Sequence, residues 1–261
     1  MNSEYVITDE AQLTEILGHP SELVKQKVAH SLDDAMKEFV RRSPLLMYST
    51  IDAQGLSDVS PKGDAPGFVQ VDDEGKLLIP DRPGNKLAFG YRNLLANPAV
   101  GLIFVVPTMT ETLRVKGTAV VSNDPELLQQ LGARGKPATL CAQVTVKECF
   151  FHCGKAMIRS DMWKPERWQG YTDSLLARGL ASQIQKEEIT EKVIEEVLEK
   201  SYEENVYYLR TVKPWPPGSP GNTAVGKSHY CSQYSVFIQV VASIIAAREV
   251  SLVRQCGGEG S

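Results

Sequence analysis

The 261-residue chain is 42% hydrophobic, 23% charged and 7% aromatic, with a formal net charge of −4. These values exclude a collagen-like repeat, a disulfide scaffold and a wholly disordered chain, and they leave no global basic field to attract nucleic acid. A chain of this length forms one large domain or two small ones and buries enough surface to fold without disulfides.

The first forty residues read as helical. Thr8 and Asp9 can cap a short helix that runs to Leu17 and ends at Gly18-His19-Pro20. Ser31 then precedes Leu32, Met36, Phe39 and Val40, apolar residues spaced for one helical face, and Ser43-Pro44 stops that helix. From Leu45 the pattern changes to short β runs. Residues 45–50 and 57–60 flank the turn Asp52-Ala53-Gln54-Gly55, and 68–71 and 76–79 flank Asp72-Asp73-Glu74-Gly75. The longest strand candidates are 100–106 and 112–122, with a further one at 139–146. Between them lie two short helices. One spans 86–95, capped by Asn85 and closed by Asn97-Pro98; the other spans 125–131, capped by Asn123-Asp124. A last helix is expected over 187–199. Prolines and glycines after Lys213 read as a stiff linker, and the apolar stretch 230–253 follows it. Many short strands with single intervening helices favour a small antiparallel barrel with peripheral helices over a doubly wound parallel sheet.

Five cysteines in no regular framework read as free thiols of a reducing compartment. Residues 1–10 are polar and acidic, unlike a secretory or transit segment. The most apolar run, 234–247, is shorter than a membrane span of ~20 residues and carries Gln239 and Ser243. A cytoplasmic protein without membrane or nucleic-acid partners is expected.

Three segments can carry chemistry. In Ile79-Pro80-Asp81-Arg82-Pro83-Gly84-Asn85-Lys86, a strand end turns into an expected helix start. First-turn amides and the helix dipole favour an anion there, and Arg82 and Lys86 add two cations, so phosphate is the natural guest. The alternative is a capped surface helix with two solvated bases. In Ser60-Pro61-Lys62-Gly63-Asp64, Lys62 can meet the same anion, or it can be an edge-strand lysine that discourages aggregation. In the stretch from His152 to Ser160, Lys155 and Arg159 lie four apart on one helical face, with Trp163 four further on. Like charges at that spacing need an anion opposite or a solvated face, and the Trp163 ring can cover a planar ligand or pack a core. Cys149-x-x-His152-Cys153 is a poor zinc pattern, because adjacent strand residues point to opposite sides and no second ligand pair follows. Cys153 lacks a readable base that would activate it as a nucleophile. No GxGxxG, P-loop or GxSxG motif occurs.

Taken in order, these motifs resemble the pyridoxamine 5′-phosphate oxidase-like FMN-binding split-barrel proteins, in their broad bacterial-type subgroup. Asn97-Pro98, Glu111-Thr112-Leu113-Arg114-Val115-x-Gly117 and His152-Cys153-x-Lys155-Ala156 with Arg159-Ser160 and Trp163 continue the match, which covers roughly 32–208. The resemblance implies a mainly β fold with peripheral helices, a six-stranded antiparallel split barrel forming a homodimer with two interfacial FMN sites. It divides the chain into a helical segment at 1–30, the barrel domain at 31–208 and a linker and tail at 209–261. It places Arg82, Asn85 and Lys86, with Lys62, on the FMN phosphate, and brings further contacts from the partner subunit near Lys155, Arg159 and Ser160. Ser60, Pro80, Asp81, Arg114 and Trp163 complete the implied cofactor set. The C-terminal substrate segment of the true oxidases, with its paired Arg and His, has no match here, so vitamin B6 oxidation is not expected. The function implied is an FMN-dependent oxidoreductase acting on a small molecule, with NADH or NADPH as donor. The alternatives are a non-catalytic flavin- or haem-binding protein and a deazaflavin-dependent reductase on the same fold.

Overall fold

The computed structural model describes residues 5–84, 86–170 and 173–205. The Asn85 cap, the Pro-rich linker and the apolar stretch 230–253 lie outside those residues. At the N-terminal side, α1 (Glu10–Leu17) is capped by Asp9, whose carboxylate accepts the Gln12 amide at 2.9 Å, and ends at Gly18 with φ 75°. A five-residue helix, α2 (Glu22–Gln26), follows where no element was expected. Asp33 caps α3 (Asp34–Arg42), accepting the Met36 amide at 2.7 Å. One turn later, Met36, Phe39 and Val40 are buried on one face, as their spacing predicts.

Seven strands form one antiparallel sheet: β1 (Leu45–Ile51), β2 (Ser57–Gly63), β3 (Gln70–Val71), β4 (Leu77–Pro80), β5 (Ala99–Val105), β6 (Thr112–Ser122) and β7 (Cys141–His152). The expectation of six strands falls short by one, β3 being only two residues long. Their spatial order is β2-β1-β5-β6-β7-β4-β3. Lys62 on the terminal strand β2 nevertheless reaches Asp81, just past β4, at 3.2 Å. The sheet therefore curls until its two ends nearly meet, which makes it a split barrel. Its inner face buries Leu46, Tyr48, Leu102, Phe104, Leu113, Val115 and Val144 against α3 and against α4 (Phe89–Ala96).

Two departures from the sequence reading matter for the site. The helix expected from Lys86 begins only at Phe89, and its capping residue Ala88 has φ 51° and offers no side-chain cap. The first-turn amides therefore lie beyond the Arg82 segment, and the helix-dipole argument for an anion at Arg82 lapses. Strand β7 runs to His152, well beyond the expected 146, because a bulge interrupts its alternation. Lys116 pairs with Glu148 and Gly117 with Val146, leaving Lys147 over. A Cβ on Gly117 would lie 2.2 Å from the Thr145 carbonyl oxygen, so only glycine permits this approach of β6 and β7.

Helix α5 (Pro125–Gln130) takes its cap from Asp124, and α6 (Lys155–Arg159) follows β7. Beyond them α7 (Leu175–Ile184) and α8 (Glu191–Asn205), the latter starting four residues later than expected, form a hairpin with its own buried cluster of Ala177, Leu180, Ile189, Ile194, Leu198 and Tyr202. No helix among the described residues is long and apolar enough to cross a membrane.

Candidate functional site

The period-2 alternation of β2 turns Ser60 and Lys62 inward while Val59 and Pro61 face out. Across the opening, β4 ends at the buried Pro80, opposite Cys141, and delivers Asp81 and Arg82. The Asp81 backbone is fixed on both sides: its amide donates to the Leu140 carbonyl at 2.8 Å, and its carbonyl accepts the Thr139 amide at 3.1 Å. Two ion pairs then cross the seam. Lys62 Nζ meets Asp81 Oδ1 at 3.2 Å, and Arg82 Nε donates to Asp64 Oδ2 at 2.7 Å. Both carboxylates are 8% exposed, against 14% for Lys62 and 21% for Arg82, so the pairs are largely withdrawn from water. Arg82 Nη1 also donates to the Leu131 carbonyl at 2.8 Å, and Lys62 Nζ stands 5.3 Å from the Tyr91 ring centroid.

Beneath the seam lies a buried polar group of Tyr48, Tyr91, Asp81 and Cys141. Burial, reinforced by the nearby Asp81 carboxylate, pushes both tyrosine hydroxyls well above their usual range. Burial also pushes the Cys141 thiol up to about 11. Tyr48, opposite Ser60 in the β1–β2 register, is 2% exposed, and its hydroxyl has no hydrogen-bond partner among the described residues.

The structure thus brings Ser60, Lys62, Pro80, Asp81 and Arg82 together. Lys86 follows them as an exposed residue ahead of α4. The other sequence-derived residues lie elsewhere. Arg114 alternates with the buried Leu113 and Val115, so it occupies the outer face of the sheet. Lys155, Arg159 and Ser160 are exposed on and beside α6, and the Ser160 hydroxyl donates to the Met157 carbonyl. Trp163 is half-buried and donates from Nε1 to the Met109 carbonyl at 2.7 Å, which ties this segment to the β5–β6 turn. Pro80 pairs at the first residue of β7, whereas α6 follows its last. At a strand rise of ~3.3 Å per residue, the two groups lie at opposite ends of roughly 35 Å of strand. In the Cys149-x-x-His152-Cys153 segment, Cys149 is buried and its thiol donates to the Ser31 carbonyl, while Cys153 is exposed. Among the described residues no three metal-ligating side chains converge.

Asp64, Tyr48 and Tyr91 were missed as site residues. Asp64 had a readable signal, an acid two residues from a lysine on the same strand face; the tyrosines had none, because their roles depend on how β1 and α4 pack.

The donor chemistry here suits a phosphate in one respect. A guanidinium carries more N–H groups than the Nε and Nη1 contacts consume, so Nη2 of Arg82 remains to donate at a partly exposed position. Lys62 is occupied differently, closing the seam against Asp81 under the Tyr91 ring.

A family model described as pyridoxamine 5′-phosphate oxidase matches residues 32–153. No curated protein matches the chain. Among solved structures, HupZ of Group A Streptococcus is 18% identical, with 46% of this chain and 93% of that chain covered at a TM-score of 0.38. HutZ, the heme storage protein of Vibrio cholerae, is 20% identical, with 46% and 94% covered at 0.33. A Clostridium acetobutylicum protein related to general stress protein 26, of the pyridoxinephosphate oxidase family, is 16% identical, with 47% and 91% covered at 0.35. The seven-stranded split barrel agrees with that match, and residues 32–153 of this chain are similar to the pyridoxamine 5′-phosphate oxidase family over that segment.

Proposed function

We propose that the barrel binds FMN and serves as a flavin-dependent oxidoreductase on a small molecule, with NADH or NADPH as electron donor, in the cytoplasm. The observation that carries this reading is Arg82, clamped through Nε and Nη1 at the seam yet 21% exposed, in a chain whose residues 32–153 match the pyridoxamine 5′-phosphate oxidase model. Bound there, FMN would supply the redox chemistry at its ring. The chain's own contribution is binding and orientation. Arg82 and the following Lys86 hold the phosphate, and the Lys62–Asp81 pair keeps the strand ends in place beneath it. Arg114 and the Lys155 to Trp163 segment lie too far away to join this cradle within one subunit. The proposal therefore includes a homodimer in which the Lys155 to Ser160 segment of a second copy completes the site.

Mass spectrometry of the chromophore that co-purifies with the protein tests the cofactor, and FMN is the expected result. Haem or a deazaflavin would replace it, and a colourless protein that takes up no flavin would end the proposal. Titration with FMN and riboflavin tests the anchor. The double variant Arg82→Gln, Lys86→Ala loses about a hundredfold in FMN affinity, as two charge-assisted hydrogen bonds of ~1.5–3 kcal/mol imply. Riboflavin, which lacks the phosphate, changes little. Equal loss of both ligands would indicate a weakened fold, since Arg82→Gln also takes Asp64's partner, and no loss of FMN affinity would place the phosphate elsewhere.

A further inference from the structure

Helix α1 is firmly specified at its start and buries none of its side chains. Reciprocal bonds fix its first turn: the Gln12 amide donates to the Asp9 carboxylate, and the Gln12 side-chain oxygen accepts the Thr8 amide at 3.1 Å. Leu13, Ile16 and Leu17 follow at the i, i+3, i+4 spacing of one helical face, yet they are 44%, 66% and 73% exposed. Val6 and Ile7, just ahead of the helix, are exposed as well. Isolated helices shorter than ~12–15 residues are marginal in water, so eight residues with a bare apolar face call for a cover.

The chain itself carries a segment that matches this face in pattern and in charge. An apolar pair recurs every four residues, as Val236-Phe237, Val240-Val241 and Ile244-Ile245, a spacing that suits one helical face. No acid, lysine or arginine interrupts 228–247, and the nearest charges on either side of it are the bases Lys227 and Arg248. The N-terminal segment has the opposite sign: residues 1–24 hold no lysine or arginine, and α1 carries Glu10 and Glu15 behind the Asp9 cap. Reach does not limit the encounter. At ~3.3 Å per residue, 206–233 covers roughly 90 Å at full extension, against a radius of gyration of about 16 Å for a folded unit of 200 residues. Tethering also makes the contact intramolecular, so a modest apolar face suffices where a free partner would need tight affinity.

We infer that the Leu13, Ile16 and Leu17 face of α1 is the docking surface for the apolar stretch 234–247 of the same chain. The apolar pairs cover the three exposed side chains, and Lys227 and Arg248 flank the acids of α1. This clasp of the two chain ends does not rest on the cofactor reading.

Hydrogen–deuterium exchange of the full chain, read by mass spectrometry over 10–17 and 234–247, tests the dock. In the parent chain the amides of 10–17 exchange at least about tenfold more slowly than in the variant Val240→Asp, Ile244→Asp, whose substitutions lie wholly outside the barrel. The reciprocal variant Ile16→Asp speeds exchange over 234–247 by a similar factor, an effect that a defect confined to α1 would not produce. Leu95→Asp, at the exposed end of α4, leaves both segments unchanged, and the amides of β6 and β7 stay protected throughout. Exchange of 10–17 in the parent at the rate of an unstructured peptide overturns the inference. Protection of 10–17 that survives Val240→Asp, Ile244→Asp also overturns it, by assigning the cover to another segment. Protection that rises with chain concentration overturns it as well, by assigning the cover to a second copy.

Discussion

Arg82 and Asp64 stand 18 residues apart in the chain and 2.7 Å apart across the opening of the sheet. Lys62 and Asp81 cross the same gap beside them. Each side contributes one charge of each sign, Lys62 with Asp64 and Asp81 with Arg82. A slip that set Lys62 against Arg82 and Asp64 against Asp81 would face like charges across the seam, so the pairs fix alignment as well as closure.

Removing one member of a largely buried pair leaves its partner's charge uncompensated. Asp81→Leu is expected to cost about 2–4 kcal/mol, slightly below a fully buried pair because Lys62 keeps some contact with water. The double variant Lys62→Met, Asp81→Leu recovers most of that loss. Urea unfolding of the four members of the cycle measures the coupling, and additive losses would show that the pair does not close the barrel.

Gly117→Ala tests the bulge. The new methyl meets the Thr145 carbonyl at 2.2 Å, a backbone atom that cannot swing away, so β6 and β7 must part. A loss of roughly 2–4 kcal/mol is expected from such overpacking, read as a lowered Tm. A Tm within a degree of the parent would mean that the strands are farther apart than described.

Proton binding makes the folded chain sensitive to alkali. Cys141 is pushed up to about 11 from an ordinary 9.0, and Tyr48 and Tyr91 are raised as well. Below about pH 9 the folded and unfolded states both keep these protons and stability is unaffected. Above it the unfolded chain ionises first, so stability falls as pH rises from about 9 through about 11 and beyond. Labelling at pH 8 gives the corresponding order for thiols: the exposed Cys153 reacts with a disulfide reagent in the folded protein, and the buried Cys141 reacts only on unfolding.

Tyr48 carries a buried hydroxyl without a hydrogen-bond partner among the described residues, so Tyr48→Phe removes a polar group that gains no hydrogen bond from them. An increase in stability of about 1 kcal/mol is expected in thermal melting. A decrease of that size would indicate a water or ligand bound to the hydroxyl.

How much of this the sequence discloses depends on the range of the interaction. Strand β6 was legible from end to end because Leu113, Val115, Gly117 and Ala119 alternate with outward residues. The start of α4 was not: the chain enters that helix through a left-handed Ala88 without a capping side chain, so the residue types near Lys86 mark the wrong turn. Half of β7 escaped for a related reason, since Lys147 adds a residue and reverses the in-out pattern behind it. The motifs Ser60 to Asp64 and Pro80 to Lys86 were visible as basic segments. That their acids would meet each other's bases required the strand order, which no local spacing encodes.

Pro61 stands in the middle of β2, which has one neighbouring strand among the described residues. Proline has no backbone N–H, so an incoming strand would find its hydrogen-bond ladder broken at the centre of that edge. The opposite edge, β3, offers just two residues. Among the described residues, neither end of the sheet offers an unbroken template for further strands, which works against edge-to-edge polymerisation.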